Sequence, residues 1–174
     1  GQLQLAAVVP AARRHLDDSS DSVRAAAIFA IHRCGEPVDL NPLADMLTRP
    51  EPTTRGNVAM LIGMMDQKSA VPMLKDLAKV PLPRTVPVEK TQLVRLQMAE
   101  AVLNLIEDEG SLHAVRAAPY SQFDEVRIQG VLTLAQIGDR RMEAAVVKLL
   151  EDPPIQLQLA AARYLAQFRR YSGL

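Results

Sequence analysis

The sequence predicts an all-α protein, a right-handed α-α superhelix (a solenoid) of about five helix pairs, and three observations support this fold class. The segment DSVRAAAIFAIHRCG at positions 21–35 returns in altered form as DEVRIQGVLTLAQIG at 124–138, with Asp, Val, Arg and Gly at the same places. Apolar residues recur within both segments at three- and four-residue steps, which is the spacing of a helix face. Hydrophobic residues make up 48% of the 174-residue chain and aromatic residues only 3%, a composition that suits close helix packing better than a sheet.

Three further copies of this helix occupy positions 53–66, 93–106 and 157–168. One place recurs in all five copies, and it holds Arg24, Arg55, Arg95, Arg127 and Gln158. The separations between these residues are 31, 40, 32 and 31, so three of the four agree within one residue. A helix–turn–helix unit of about 31 residues cannot bury its apolar faces alone, and we therefore expect each unit to stack on the next.

Residue types at the ends of the repeated helices predict where these helices start and stop. Asp21 and Asp124 stand at N-termini, where a carboxylate can accept hydrogen bonds from free amides and complement the helix dipole. Gly35 and Gly138 stand where a helix ends. A small residue three places after the recurring position, such as Gly130, would let a neighbouring helix approach closely.

Second helices are predicted between the copies, at 8–18, 41–50, 70–80, 111–118 and 142–152. Pro10, Pro42 and Pro72 fall near the starts of three of them, where a missing amide costs nothing. We interpret the chain as one solenoid domain over 1–174, whose abrupt helical start favours a piece of a longer protein. Its predicted units are 1–18 (partial), 19–50, 51–80, 88–118, 121–152 and 153–174 (partial).

The 40-residue separation contains an additional segment, VPLPRTVPVEK at 80–90, with three prolines that cannot continue a helix. We expect a protruding, semi-extended insertion loop there. Insertions in repeat proteins often lie on the binding face, which makes Arg84 a candidate for partner contact. A tolerated surface insertion without function is the simpler interpretation, because the cost of loop closure grows slowly with length.

Composition and motifs argue against several classes of function. The chain has 20 basic and 20 acidic residues, so no overall positive field favours a nucleic acid. A single cysteine, Cys34, excludes an internal disulfide, and we expect its side chain to be buried. The three histidines, His15, His32 and His113, show no spacing of converging metal ligands. No glycine-rich phosphate loop or nucleophile arrangement is present, so we predict a non-enzymatic protein without metal or cofactor.

The repeated helix resembles the HEAT repeat family, and in particular the short bacterial type related to the repeats of phycobilin lyases. The segments DSVRAAA, DEVRIQG and LQLAAA match that pattern, and EDPPIQLQLAAARYL at 151–165 follows its turn and helix. The resemblance covers nearly the whole chain and implies a scaffold or interaction module, with the second helices on the concave face. A relative of deoxyhypusine hydroxylase would carry His-Glu iron ligands, and the chain has no His-Glu dipeptide.

The arginine row, defined as Arg24, Arg55, Arg95 and Arg127, has two interpretations. Regular spacing and the HEAT resemblance favour a structural ladder, in which each arginine, helped by Asp21 and Asp124, binds an acid or a carbonyl of an adjoining repeat. The alternative is a row of guanidinium groups that binds a phosphorylated or nucleic-acid ligand.

Methionines are concentrated around the second unit, where Met60, Met64, Met65 and Met73 occur with Met46 nearby. We expect them to fill the core.

The polar residues of the predicted second helices are mildly basic, which is typical of a solvated face but also of a groove for an acidic or extended peptide or a partner helix. The candidate partner-binding residues are Arg13, Arg14, Asp45, Lys75, Lys79, Arg84, His113, Arg116, Arg141 and Lys148. We predict a protein or peptide partner, with a bilin-lyase-like enzyme or chaperone subunit as the alternative. Exposed ends of the stack could support a dimer. No apolar run approaches a membrane span, so we expect a soluble chain, cytoplasmic or exported with its signal removed.

Overall fold

The computed structural model describes residues 2–169, and of residues 2–6 and 169 it describes the backbone alone. Ten α-helices and no strand occur within this range, which confirms the all-α prediction. The helices are α1 (Gln2–Arg13), α2 (Asp21–Arg33), α3 (Asn41–Thr48), α4 (Pro52–Gly63), α5 (Val71–Lys79), α6 (Val88–Leu105), α7 (Glu109–Ala117), α8 (Asp124–Gln136), α9 (Glu143–Lys148) and α10 (Ile155–Arg169). Short 3₁₀ turns follow α7 and α9, and others precede α5 and α9. No helix in residues 2–169 is long and apolar enough to cross a bilayer.

The even-numbered helices, which contain the repeated segment, form a continuous stack in which each packs on the next from α2 to α10. Helices α1, α3, α5 and α9 pack mainly on the even-numbered helix that follows them, whereas α7 contacts both α6 and α8. This is the side-by-side arrangement expected of helical repeats. The division into units at 19–50, 51–80, 88–118 and 121–152 stays a prediction, and residues 1 and 170–174 of the two partial units lie outside the described residues.

The buried apolar residues form clusters that follow chain order rather than a single centre. One cluster extends from Ala25 to Leu105 and a second from Leu96 to Leu165, while a small group around Ile31 lies against α1. Helix α6 contributes to both large clusters, with Met98 in the first and Leu96 in the second. Burial by immediate neighbours therefore supplies the apolar area removed from water, as the repeat pattern predicts.

Two glycines mark the places where neighbouring elements approach most closely. A Cβ added at Gly63 would lie 2.8 Å from the Cα of Ala101, so α4 and α6 could not keep their separation. A Cβ at Gly130 would lie 2.3 Å from the Cβ of Ala118, in the 3₁₀ turn after α7. The expectation that Gly130 permits a close approach is therefore confirmed.

Three helices end with one residue in the left-handed region. Gly35 (φ 78°) follows α2 and Gly138 (φ 71°) follows α8, as predicted, and Asp66 (φ 56°) takes this conformation after α4. The amides of Glu36 and Asp139 close the turns by donating to the carbonyls of Ile31 and Leu134. This pattern satisfies carbonyl groups that the helix end leaves free.

The predicted capping role of Asp21 and Asp124 is wrong. Each is the first helical residue, and its carboxylate binds the arginine three residues later rather than a free amide. The residue that caps a helix stands one place before the first helical residue, and Ser20 and Phe123 hold that place here. The aspartates instead lie within reach of the guanidinium three residues later. Glu51 and Asp108 are the side chains that cap α4 and α7.

The first helix also differs from its prediction. It extends from Gln2 to Arg13 instead of 8–18, so Pro10 lies inside it rather than near its start. Proline removes one helical hydrogen bond, and the helix ends three residues later. Pro42 and Pro72, in contrast, are the second residues of α3 and α5, as predicted.

The segment predicted as an insertion loop at 80–90 is only partly a loop. Helix α6 begins at Val88, so the last residues of the segment form its first turn. Leu82 is buried and Val86 packs against the first large cluster, which draws the segment 80–87 back onto the stack. Apolar burial of these two side chains explains why the whole segment does not protrude. Arg84 is exposed.

The expectation that the methionines fill the core is wrong for three of them. Met46 and Met65 are buried, but Met60, Met64 and Met73 are between 38% and 50% exposed. Helical periodicity explains the difference, because residues four apart on α4 share one face and here that face is solvated. Cys34 is half-buried rather than buried.

Candidate binding groove

Three of the clefts along the second half of the stack share lining residues. The first, of about 300 Å³, lies between α5 and α7 over α6, and its lining includes Leu74, Lys79 and Arg95. The second, of about 430 Å³, lies between α6, α7 and the start of α8. The third, of about 330 Å³, lies between the 3₁₀ turn after α7 and helix α9.

Shared residues join the three clefts into one track, which we call the basic groove. Arg95 and Ala114 line both the first and the second cleft. Tyr120 lines both the second and the third cleft, and its side chain is 72% exposed. The basic groove therefore continues from α5 across α7 to α9, a path that suits an extended ligand better than a compact one.

The charges of the basic groove are mainly positive. Its charged lining residues are Lys75, Lys79, Arg95, Asp108 and Lys148. The single carboxylate, that of Asp108, accepts from Lys75 Nζ at 2.6 Å and from the Ser111 amide at 2.8 Å. Hydrogen bonds from Lys75 and then Ser111 lower the pKa of Asp108 to about 2, so it is ionised at neutral pH and neutralises Lys75. A positive excess remains at Arg95 and Lys148, while Lys79 is paired with Asp76 at 3.2 Å in a contact that is open to solvent.

Three of the candidate partner-binding residues, Lys75, Lys79 and Lys148, line the basic groove. The others do not line it. Arg116 donates from Nε to Asp139 at 2.6 Å and lies in a separate cleft on the other side of α7. The remaining candidates are exposed but lie outside the basic groove; they are Arg13, Arg14, Asp45, Arg84, His113 and Arg141.

Three residues of the arginine row make contacts within the chain. Arg55 is only 3% exposed, and its Nε donates to the carbonyl of Leu47 at 2.7 Å. Arg24 donates to the carbonyl of Asp18 and to the carboxylate of Asp21, which also binds Arg49 at 3.1 Å. These contacts link the start of an even-numbered helix to the segments around it.

The most extensive of these contacts belongs to Arg127. Its guanidinium binds Asp152 through two nitrogens, at 2.7 and 3.0 Å, and Asp124 at 2.7 Å. Hydrogen bonding to Asp152, followed by that to Asp124, outweighs burial and raises the pKa of Arg127. Gln158, the fifth residue at this place, donates to the carbonyl of Asp152 at 2.7 Å.

Arg95 differs from the rest of the row. It is exposed, and within residues 2–169 it makes no hydrogen bond or ion pair. The sequence pattern grouped it with the other three, because it could not show that Arg95 lies on the wall of two clefts. Tyr120 was not predicted at all, although it stands twenty-five residues after Arg95, as Asp152 does after Arg127.

The groove offers an extended shape and an excess of positive charge. No group of three or more His, Cys, Asp or Glu side chains in the described part of the chain could hold a metal ion. The exposed alanines Ala114 and Ala117 leave room over α6, and Arg95 supplies a free cation. Such an arrangement can hold a chain segment through apolar contact and ion pairing.

A comparison with protein-family models matches residues 1–86 to HEAT repeats. A comparison with curated proteins gives no match. HEAT repeats are typically non-enzymatic and generally mediate protein–protein interaction. The matched residues include helices α1 to α5. The stack of even-numbered helices continues beyond them through α6, α8 and α10. The match over residues 1–86 supports a HEAT repeat assignment, and the continuous stack of helices extends the same arrangement through the rest of the described residues.

Proposed function

We propose that the chain is a non-enzymatic interaction module that binds an extended segment of a partner protein along the basic groove. The observation that supports this proposal best is the continuity of three clefts through Arg95, Ala114 and Tyr120. The joined clefts cross from α5 to α9, so several residues of an extended ligand can make contact at once. The stacked helices hold the groove walls in place, which reduces the ordering cost of binding.

The alternative of a phosphate or nucleic-acid binder that uses the whole arginine row has less support. Arg24, Arg55 and Arg127 are engaged within the chain, and Arg55 is buried. A ligand that recruited them would have to break these contacts, leaving Asp152 and the Leu47 carbonyl without their partners. Only Arg95 among the four is available without such a cost.

The proposal is tested by selecting peptides from a random display library on the whole chain and measuring their affinity for a blocked variant. Ala114→Trp fills the place shared by the first two clefts, and we expect it to weaken the selected peptides at least tenfold. Ala26→Trp, at an exposed position of α2, is the matched control and should leave affinity unchanged. Thermal melts of both variants establish that they fold.

Amide exchange on the unmodified chain gives a second measurement that needs no substitution. Bound peptide should slow exchange in α7 and in the residues around Tyr120. Selected peptides that bind Ala114→Trp as well as the original chain, without protection of α7, would show that the basic groove is not the binding site.

A further inference from the structure

The free state of Arg95 follows from the length of its helix. Arg24, Arg55 and Arg127 are each the fourth residue of their helices, close to the groups that precede the helix start. Arg95 is the eighth residue of α6, because this helix begins one turn earlier, at Val88. The backbone before Arg95 is therefore helical, and its carbonyls are engaged within the helix instead of available to the guanidinium. Residue 92, three places before Arg95, is glutamine where Arg24 and Arg127 have an aspartate.

The residue at the place of the anionic partner also differs between the two arginines. At the corresponding junction of α8, Arg127 meets the carboxylate of Asp152, twenty-five residues later in the chain. The residue twenty-five places after Arg95 is Tyr120, whose ring is exposed and offers no carboxylate to the guanidinium. The junction of α6 thus has the cation of the ladder but lacks the anion.

The cleft between these two residues has a matching chemistry. Its lining includes Gln92, Arg95, Ala114, Ala117 and Tyr120, and no aspartate or glutamate is among the residues that line it. Its lining combines one cation, several apolar side chains and one exposed aromatic ring. Aromatic rings at exposed positions beside a cleft are efficient anchors, because they bury a large area with little loss of side-chain freedom.

We infer that Arg95 receives the side-chain carboxylate of an aspartate or glutamate from an extended acidic peptide of a partner protein. The ligand carboxylate takes the role at α6 that Asp152 has at α8. An apolar residue beside it packs on Tyr120 and over Ala114 and Ala117. Further acidic residues of the same segment reach Lys79 on one side and Lys148 on the other. The inference rests on the proposed function, since it names the ligand of the same groove.

The test uses fluorescein-labelled peptides of twelve residues in which one Glu, or one Gln, stands between two leucines in a glycine–serine background. Fluorescence polarisation with the whole chain should show about threefold to fivefold tighter binding of the Glu peptide, since an exposed ion pair contributes on that scale. The preference should shrink as salt is raised. Equal affinities for the two peptides, or no binding of the Glu peptide at about 1 mM, would overturn the inference.

Variants assign the preference to single residues. Arg95→Ala should remove the preference for Glu over Gln while leaving the melting temperature almost unchanged, because Arg95 is exposed and makes no hydrogen bond or ion pair with the described residues. Arg84→Ala, which removes an exposed cation away from the groove, should retain it. Tyr120→Ala should weaken both peptides and keep their ratio. Retention of the preference in Arg95→Ala would contradict the inference.

The two experiments distinguish a failure of the groove as a binding site from a failure of the carboxylate assignment. If Ala114→Trp weakens the library-selected peptides but the Glu and Gln peptides bind equally, the groove is the binding site and the carboxylate assignment is wrong. If Ala114→Trp weakens none of the selected peptides, both proposals are wrong.

Discussion

Two junctions of the stack, one at α8 and one at α6, use the same place in the repeat differently. At α8, Arg127 is held by Asp124 and Asp152, and its side chain is only 16% exposed. At α6, Arg95 is exposed and faces Tyr120 across a cleft. The difference shows that an additional helix turn, together with Gln92 and Tyr120 in place of two aspartates, leaves an arginine free that is structural at α8, without any change of the arginine itself.

The first prediction has the largest expected effect and tests whether the α8 junction is structural. Arg127→Ala removes both ion pairs and leaves Asp152 with an unpaired, partly buried carboxylate, so we expect a loss of about 2 kcal/mol in the free energy of unfolding. Urea unfolding at neutral pH measures it. Arg95→Ala is the matched control and should change the free energy by less than about 0.5 kcal/mol. Similar losses in both variants would mean that the two junctions do not differ.

The second prediction concerns the closed ion pair beside Arg95. Asp108→Asn keeps a side chain that can cap α7 but removes the charge that binds Lys75, and we expect a loss of about 1 kcal/mol at pH 7. The pKa of Asp108 is lowered to about 2 in the folded chain, so the contribution of its charge is complete above the ordinary pKa of 3.8. It disappears as the pH falls from there towards 2.

Unfolding curves of the original chain and Asp108→Asn at several pH values give this difference directly. Asp76→Asn removes the partner of Lys79 in a fully solvated pair, where side-chain exposure is 76% and 77%, and should have almost no effect. A difference between Asp108→Asn and the original chain that persists undiminished at pH 2 would contradict the assignment to the charge.

The third and smallest expected effect lies between the two junctions, where Glu100 on α6 accepts from Gln129 on α8 at 2.6 Å. Burial raises the pKa of Glu100, and the hydrogen bonds from Gln129 and Thr133 offset this only in part. A raised folded pKa means that the folded state is penalised once the pH exceeds the ordinary value of 4.5, and the penalty is complete above the folded pKa.

Glu100→Gln should therefore raise the melting temperature by about 2 °C at pH 7 and leave it unchanged near pH 4. Scanning calorimetry at the two pH values measures the change in melting temperature and its sign. Glu107→Gln, at an exposed position after α6, serves as the control and should do nothing at either pH. A lower melting temperature for Glu100→Gln at pH 7 would show that the charged form is favoured in the fold.

Most of the fold followed from the sequence because the repeated helix has a strong three- and four-residue period, and both glycine stops take the positive φ that glycine allows. The special role of Arg95 did not follow, since it depends on where α6 begins. Helix α6 begins directly after Pro87, in a segment whose Leu82 and Val86 pack on the stack, and no periodic pattern encodes that packing. The solvated methionines of α4 were missed for a similar reason. Periodicity indicates which residues share a face but not which neighbour covers it.

Helix α6 contributes residues to both large apolar clusters, and this has a consequence for how the chain loses its structure. Repeat arrays can fray unit by unit from their ends, because each unit depends only on its neighbours. Here the two halves share one central support, so melting of either half strips one side of α6 and weakens the other half with it. Heat should therefore disassemble the array in a single cooperative step, and slow amide exchange should be concentrated in α6.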